Sequence, residues 1–355
     1  MPTNSEILNA LGTGSNCLRT HKNLQPVKRP NGEYFFSTGN FSLVVKMHDK
    51  VEGKYYAVKC FTIIHPKLIE SYTLIGKYLQ MNQSPYLVQY EFCDNEIWVN
   101  SQIDGNKGYP VVIMEWIEGK TLGSYLAELV SNSDKEALFQ LACDFDALSL
   151  WLLDQSFAHG DLKTDNILID FTGRLRLIDY DGMFTPEMHL QHARENGSPG
   201  FRHPKRSLVH FGEHIDDFSI LLISLSIHAL ASNQSLAGSE NSFSDNILFT
   251  EYAISDIEHS TWKLFDHLRE KSDVVQRLVM LQMAAGNPVT MRLLGMKQIL
   301  HSTAFLTQFV TNLKGIRDND IEVCSKYRKI TKGNSSYNIK YYCLRQISSK
   351  KLSVT

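Results

Sequence analysis

The sequence predicts an α+β protein of two lobes, a small β-rich lobe with one main helix followed by a larger helical lobe. Three observations predict it. Between Leu24 and Glu115 the apolar residues alternate as in half-buried strands, with one amphipathic interruption. From Leu122 onward a helical period takes over. Early in the helical part stands the run His159-Gly160-Asp161-Leu162-Lys163-Thr164-Asp165-Asn166, followed after a short hairpin by Leu177-Ile178-Asp179-Tyr180-Asp181-Gly182.

Taken in chain order, residues 1–23 form an arm with a short helix near Ser5–Leu11, and its Gly12-Thr13-Gly14 follows no strand, which argues against a nucleotide loop. Tyr34-Phe35-Phe36 leads into a strand over Leu43–Met47, a turn with Asp49 and Gly53, and a strand over Tyr55–Cys60. Pro66 suits the first position of a helix reaching Leu79, with Ile69, Tyr72, Gly76 and Leu79 spaced for one face. Strands near Glu96–Asn100 and Val111–Glu115 flank a loop at Asp104–Gly108. Residues 116–310 hold a hinge and the helical lobe. That lobe has a long helix over Glu136–Gln155, a hairpin over Asn166–Asp179 turning at Thr172-Gly173, an irregular Gly/Pro-rich segment over Met183–Pro204, and further helices. Residues 311–355 form a basic tail with a possible small hairpin around Tyr337–Tyr342.

Bulk properties exclude several classes. Hydrophobic content of 43% and charged content of 21% are ordinary for a globular protein. A net charge of −2 gives no expectation of nucleic-acid binding. The charge is uneven: from Thr311 to Thr355 ten Lys and Arg stand against three Asp and Glu, a basic tail suited to an acidic partner or a membrane surface, or simply a solvated terminus. Cysteines at 17, 60, 93, 143, 324 and 343 form no CxxC pair, which points to a reducing, cytoplasmic setting. Met1–Glu6 has neither a basic nor an apolar region, so no secretory leader is expected. The longest apolar stretch, Phe218–Ala231, spans 14 residues and contains Ser219, Ser224, Ser226 and His228. It is too short and polar for a membrane span and suits a core helix. His210-Phe211-Gly212-Glu213-His214 fits a zinc-protease string, but Gly212 interrupts the helix that such a site needs.

An acid, a lysine and an asparagine on one loop, with a second acid after a strand pair, resemble the catalytic and metal loops of the eukaryotic-type protein kinase superfamily. The resemblance runs from about Phe36 to Leu230. It implies a bilobal kinase-like fold that transfers the γ-phosphoryl group of ATP, with Mg²⁺, to Ser/Thr hydroxyls of a protein substrate. Ser37-Thr38-Gly39-Asn40-Phe41-Ser42-Leu43-Val44 resembles the glycine-rich loop, so Gly39 and Val44 are assigned to the nucleotide. Ala57-Val58-Lys59 resembles the strand whose alanine covers adenine and whose lysine holds the α and β phosphates. Glu70 is the candidate partner of Lys59, with Leu74 packing toward Tyr180. Val111–Gly119 resembles the last strand and hinge. Met114 is then the gatekeeper, backbone groups of Glu115–Ile117 meet the adenine edge, and Glu118 reaches a ribose hydroxyl. Leu168 is assigned to the same nucleotide pocket. Asp161 would orient the acceptor hydroxyl, Lys163 would neutralise developing charge, and Asn166 and Asp179 would hold Mg²⁺. Gly197–Lys205 resembles the end of an activation segment, with Ser198 facing Asp161, and Asp216 would bond backbone near His159.

Several positions depart from the family pattern. Gly160 replaces the arginine before the catalytic aspartate, which predicts weak dependence on activation-loop phosphorylation. Asp181 replaces the metal-loop glycine, Lys205 replaces a glutamate, and a single glycine remains in the phosphate loop. The mix resembles divergent bacterial-type Ser/Thr kinases. A kinase-fold binding module and a small-molecule phosphotransferase of aminoglycoside or choline kinase type remain open alternatives.

Overall fold

The computed structural model describes residues 2–13, 17–39, 41–63, 65–188, 192–238, 243–256, 258–268, 272–286, 296–297, 300, 321–332 and 335–346. Helix α1 (Asn4–Gly12) starts on a capping box between Thr3 and Glu6. A sheet follows from β1 (Leu24–Pro26), β2 (Phe36–Thr38), β3 (Ser42–Asp49) and β4 (Tyr55–Phe61). After helix α2 (Pro66–Met81) it is completed by β5 (Tyr90–Ser101) and β6 (Gly105–Glu115), in the order β1-β3-β4-β6-β5 with β2 on β3. The β5–β6 ladder continues past a register shift between Cys93 and Ile97 as far as Ser101↔Gly105. Gly105–Gly108, expected as loop, are therefore strand.

Register gives this sheet two buried faces. Val44 opposes Lys59, Lys46 opposes Ala57, and Ala57 opposes Met114. Directly opposed residues share a face, so these side chains look toward α2 and the second lobe, where Ala57, Val112 and Met114 join the main core. The alternate residues Leu43, Val45, Met47, Val58, Cys60, Val111 and Ile113 form a separate core on the other face. Ile7, Leu11, Cys17 and Leu18 of the arm, with Leu24 of β1, belong to the same cluster.

The second lobe begins with β7 (Gly119–Thr121), α3 (Leu122–Ser131) and α4 (Lys135–Leu153). The hairpin β8 (Ile167–Asp170) and β9 (Leu175–Leu177) pairs with β7. Helix α5 (Asp217–Ser232) is buried on every side from Asp217 to Leu230, as its all-round apolar composition requires. Short helices α6 (Glu251–Ser255) and α7 (Ser260–Lys263) lead to α8 (Ser272–Gly286). A polar network ties three helices together. Asp146 of α4 accepts from Ser224 at 2.7 Å, from Arg277 at 2.7 Å, and pairs with His228 at 2.8 Å. Arg277 also donates to Ser224 at 2.8 Å, and the other nitrogen of His228 lies 3.3 Å from Asp273.

In the tail, β10 (Ile321–Lys332) and β11 (Ser335–Gln346) pair as a hairpin longer than the expected one. The helix expected to extend to about residue 313 lies outside the described residues beyond 300, as does Gly14 of the early GxG. The His210–His214 stretch is turn and not helix, and His214 sits on Glu213 and Asp217, which removes the geometry of a helical zinc site. Among the described residues no helix is long and apolar enough to cross a membrane.

Candidate active site

The site sits where two backbone segments run side by side. Ala158 and Phe184 exchange hydrogen bonds at 3.2 and 2.9 Å, which brings residues 158–160 against 182–184. Two positions along, Gly160 meets Gly182. A Cβ built on Gly160 would stand 1.9 Å from the Gly182 carbonyl oxygen, and Gly160 has φ +84°. Only glycine fits there. Asp216, buried at the start of α5, accepts from the N–H groups of His159 and Gly160, the latter at 3.0 Å. Burial raises its pKa, although His159 and Arg206 oppose the shift. Arg206, itself buried, donates to the Gly160 carbonyl at 2.7 Å.

The catalytic-loop groups are held by one another. The amide nitrogen of Asn166 donates to the Asp161 carbonyl at 2.8 Å and to its carboxylate at 3.3 Å. The Ser198 backbone N–H donates to Asp161 Oδ1 at 2.7 Å, and Lys163 Nζ lies 3.6 Å from Oδ2. The pairing Ile167↔Leu177, with the Ile178 N–H donating to Asn166 O at 3.0 Å, makes Asn166 and Asp179 leave the hairpin together. His159 Nε2 contacts Ile178 O at 2.8 Å and packs against Tyr180, which locks the two loops. Asp179 is left-handed, at φ +63°, a conformation that aspartate tolerates and functional loops store.

Lys59 reaches this cluster from the sheet. Its Nζ lies 3.0 Å from Asp179 and 2.6 Å from Asp181. Burial works against its charge, yet the two carboxylates outweigh burial and leave its pKa raised. Asp179 shows the converse: burial would raise its pKa, but Lys59 holds it below the usual range. The expected partner Glu70 is not there. Helix α2 buries Tyr72, Ile75, Gly76 and Leu79 and leaves Glu70 exposed, making no ion pair among the described residues. A stripe at 72, 76 and 79 extends back to 68 and 69, not to 70. Leu74 is half-buried and packs against the core cluster that contains Tyr180, and Tyr90 meets the Tyr180 ring, with centroids 5.9 Å apart. Glu70→Ala is therefore expected to change stability by less than about 0.5 kcal/mol and leave turnover within about twofold. Urea unfolding and a phosphotransfer assay check this.

Three further residues enter from the irregular segment after Asp181, where no periodicity marks them. Arg194 donates to the Asp181 carbonyl and lies over the Tyr72 ring at 4.8 Å. Glu195 is pushed to a raised pKa by burial and by Asp181, Asp179 and Asp161 together. Arg206 is the third.

Of the residues expected to meet a nucleotide, Val44, Ala57 and Met114 belong to or pack against one apolar cluster, while Leu168 lies half-buried in β8 outside it. The hinge N–H groups of Glu115 and Trp116 bond Gln89 O and Tyr55 O at 3.1 and 3.0 Å. Among the described residues, only the Ile117 N–H of these three makes no hydrogen bond. The Glu115 side chain turns away to Arg176 at 2.9 Å. Glu118, expected at a ribose, pairs with Lys46, whose ammonium sits 4.7 Å from the Tyr55 and Trp116 rings. Gly39 closes the β2–β3 turn by donating to Ser42 O at 2.8 Å.

A sheet-borne lysine above a loop pair bearing Asp, Lys, Asn and Asp, between a β lobe and a helical lobe, is the build of a phosphotransferase of the bilobal kind. The chain matches the protein kinase domain family over residues 36–302, and it belongs to that family. It is similar to Protein kinase C-like 1 of Caenorhabditis elegans, 27% identical over 163 residues that cover 45% of this chain and 21% of the relative. It is also similar to CBL-interacting serine/threonine-protein kinase 21 of Arabidopsis thaliana, 26% identical over 171 residues (47% of this chain, 38% of the relative). With Serine/threonine-protein kinase ppk18 of Schizosaccharomyces pombe it shares 28% identity over 173 residues (47% and 13%). The chain thus spans well under half the length of these relatives.

Proposed function

We propose that this kinase domain transfers the γ-phosphoryl group of ATP to Ser/Thr hydroxyls of protein substrates, assisted by Mg²⁺. The observation that supports it most is the convergence of Lys59, Asp161, Lys163, Asn166 and Asp179 around one space. The printed names of two relatives, both serine/threonine-protein kinases, favour that acceptor class.

Phosphoryl transfer passes through a loose transition state, so positioning and charge matter more than base strength. Asp161 is oriented by Asn166 and by the Ser198 N–H, which leaves its carboxylate to align the acceptor hydroxyl and take its proton. Lys163, beside it, meets charge developing on the transferred group. Asn166 spends its amide nitrogen on Asp161, so its amide oxygen is left as a ligand atom. With the Asp179 carboxylate this gives hard oxygen ligands, the chemistry that suits Mg²⁺. An ion held by these two residues would supply charge neutralisation for the phosphates. Ile117 supplies the backbone donor for the adenine edge. Asp181 acts as a positioning residue: it supplies the second carboxylate that holds Lys59, the part expected of Glu70.

The test is incubation with Mg²⁺ and labelled ATP beside a panel of protein acceptors, followed by phosphoamino-acid analysis. Wild type is expected to label Ser and Thr, and Asp161→Asn to lose at least about a hundredfold in rate. Equal label on both proteins would refute catalysis, and label confined to a small metabolite would reassign the acceptor.

A further inference from the structure

A second cluster lies outside the catalytic loops, where the arm crosses β5. Glu96 of β5 is 1% exposed. Its carboxylate accepts from the Thr20 N–H at 2.9 Å, the Thr20 hydroxyl at 2.6 Å and the His21 N–H at 2.8 Å. The same carboxylate lies 3.2 Å from His21 Nδ1. The Arg19 N–H donates to the Glu96 carbonyl at 2.9 Å, and Leu18 bridges Ile97. The imidazole is therefore fixed in place through Nδ1, and Nε2 is turned to Glu91, 3.4 Å away. Cys93, two residues along the strand on the same face as Glu91, carries a free thiol. A ring nitrogen of His21, a carboxylate oxygen of Glu91 and Sγ of Cys93 all lie within 4.8 Å of one another.

We propose that His21, Glu91 and Cys93 bind a borderline-soft divalent cation of the Zn²⁺ class, joining the arm to β5. The donor set is mixed nitrogen, sulfur and oxygen, which favours such an ion over Mg²⁺. Metal–ligand bonds of about 2.0–2.3 Å place tetrahedral ligand atoms roughly 3.3–3.8 Å apart, so the side chains must close by about 1 Å. Glu96 supplies the carboxylate-to-imidazole contact that selects the Nε2 lone pair for the metal. Binding releases the Cys93 proton to solvent and leaves a thiolate on the ion. Approach is open: His21 and Glu91 also line a hollow of about 560 Å³ shared with Glu52, Gln83, Glu115 and Arg176. Water completes the coordination. The competing arrangement is a histidinium held between Glu91 and Glu96 with no metal.

The full chain, stripped with chelator and kept reduced, is titrated with Co²⁺. One equivalent is expected to produce thiolate-to-cobalt absorption that Zn²⁺ abolishes. Cys93→Ser is expected to lose the band, and His21→Gln to weaken binding at least about tenfold. Asp179→Asn should leave the band intact, which separates this site from any cation at the catalytic loops. Melting in chelator shows whether each variant folds. Zn²⁺ should raise the wild-type midpoint but not that of Cys93→Ser or Glu91→Gln. A band that survives Cys93→Ser, or wild type that gives none, overturns the proposal and leaves the histidinium arrangement.

Discussion

Putting back an arginine at position 160 is expected to abolish phosphotransfer and destabilise the fold, although arginine is the residue the family pattern favours there. Gly160→Ala alone places a Cβ 1.9 Å from the Gly182 carbonyl oxygen on a backbone at φ +84°. Strain at such a φ costs about 1–3 kcal/mol and overpacking about as much again, so a loss of roughly 2–6 kcal/mol is expected for alanine and more for arginine. Relief means parting the 158–160 and 182–184 segments, and that moves Asp161 away from Asp179. Urea unfolding of wild type, Gly160→Ala and Gly160→Arg measures the first effect, and the labelled-ATP assay the second. An alanine variant within about 1 kcal/mol of wild type, still turning over, would show that the close pass is not a constraint.

The second large effect belongs to the helix network. Asp146 and Arg277 are both fully buried. Removing one member of a buried charge pair costs about 3–5 kcal/mol, because the other is left uncompensated. Arg277→Met is expected to fall in that range, read from the urea midpoint, and a loss below about 1 kcal/mol would contradict it. The same network gives a pH dependence. Burial and Arg277 push the pKa of His228 down, but the hydrogen bonds to Asp146 and Asp273 prevail and the net shift is upward. A histidine whose folded pKa exceeds its unfolded value of about 6.5 stabilises fully below that value. The contribution fades as pH climbs through the folded value. Wild-type stability should therefore decline from pH 6 toward pH 9, and His228→Gln should lose that part of the slope.

Much of this was legible in the chain because the information is local. His159–Asn166 and Leu177–Gly182 are contiguous, and the hairpin between them has its own turn signal at Thr172-Gly173. The N-lobe alternation gave strands at nearly the right places. What failed depended on how elements meet. Glu70 was matched to Lys59 by its place in the helix, yet α2 docks through Tyr72 and Gly76, and that docking is a tertiary choice. The substitute, Asp181, was visible as a departure, but its reach to Lys59 follows from the left-handed turn at Asp179. Arg194, Glu195 and Arg206 sit in aperiodic chain, where position comes from long-range contacts. The glycine missing from position 181 was displaced by one residue, to the spot where two backbones nearly touch. Glu118 was expected to face a sugar, and the aromatic surroundings of Lys46 that draw it away come from three separate segments.

The stretch matched to the family begins at residue 36, but the covering of the sheet's outer face begins at Ile7. A fragment cut at the family boundary would bare Leu43, Val45, Val58, Val111 and Ile113, each fully or nearly fully buried in the whole chain. Each such side chain forfeits about 1.5–3 kcal/mol on exposure, and together they would present a sticky, aggregation-prone sheet. The portion that holds the chemistry and the portion expected to stand alone are not coextensive: a self-sufficient piece is expected to include the helix Asn4–Gly12, about thirty residues before the family match.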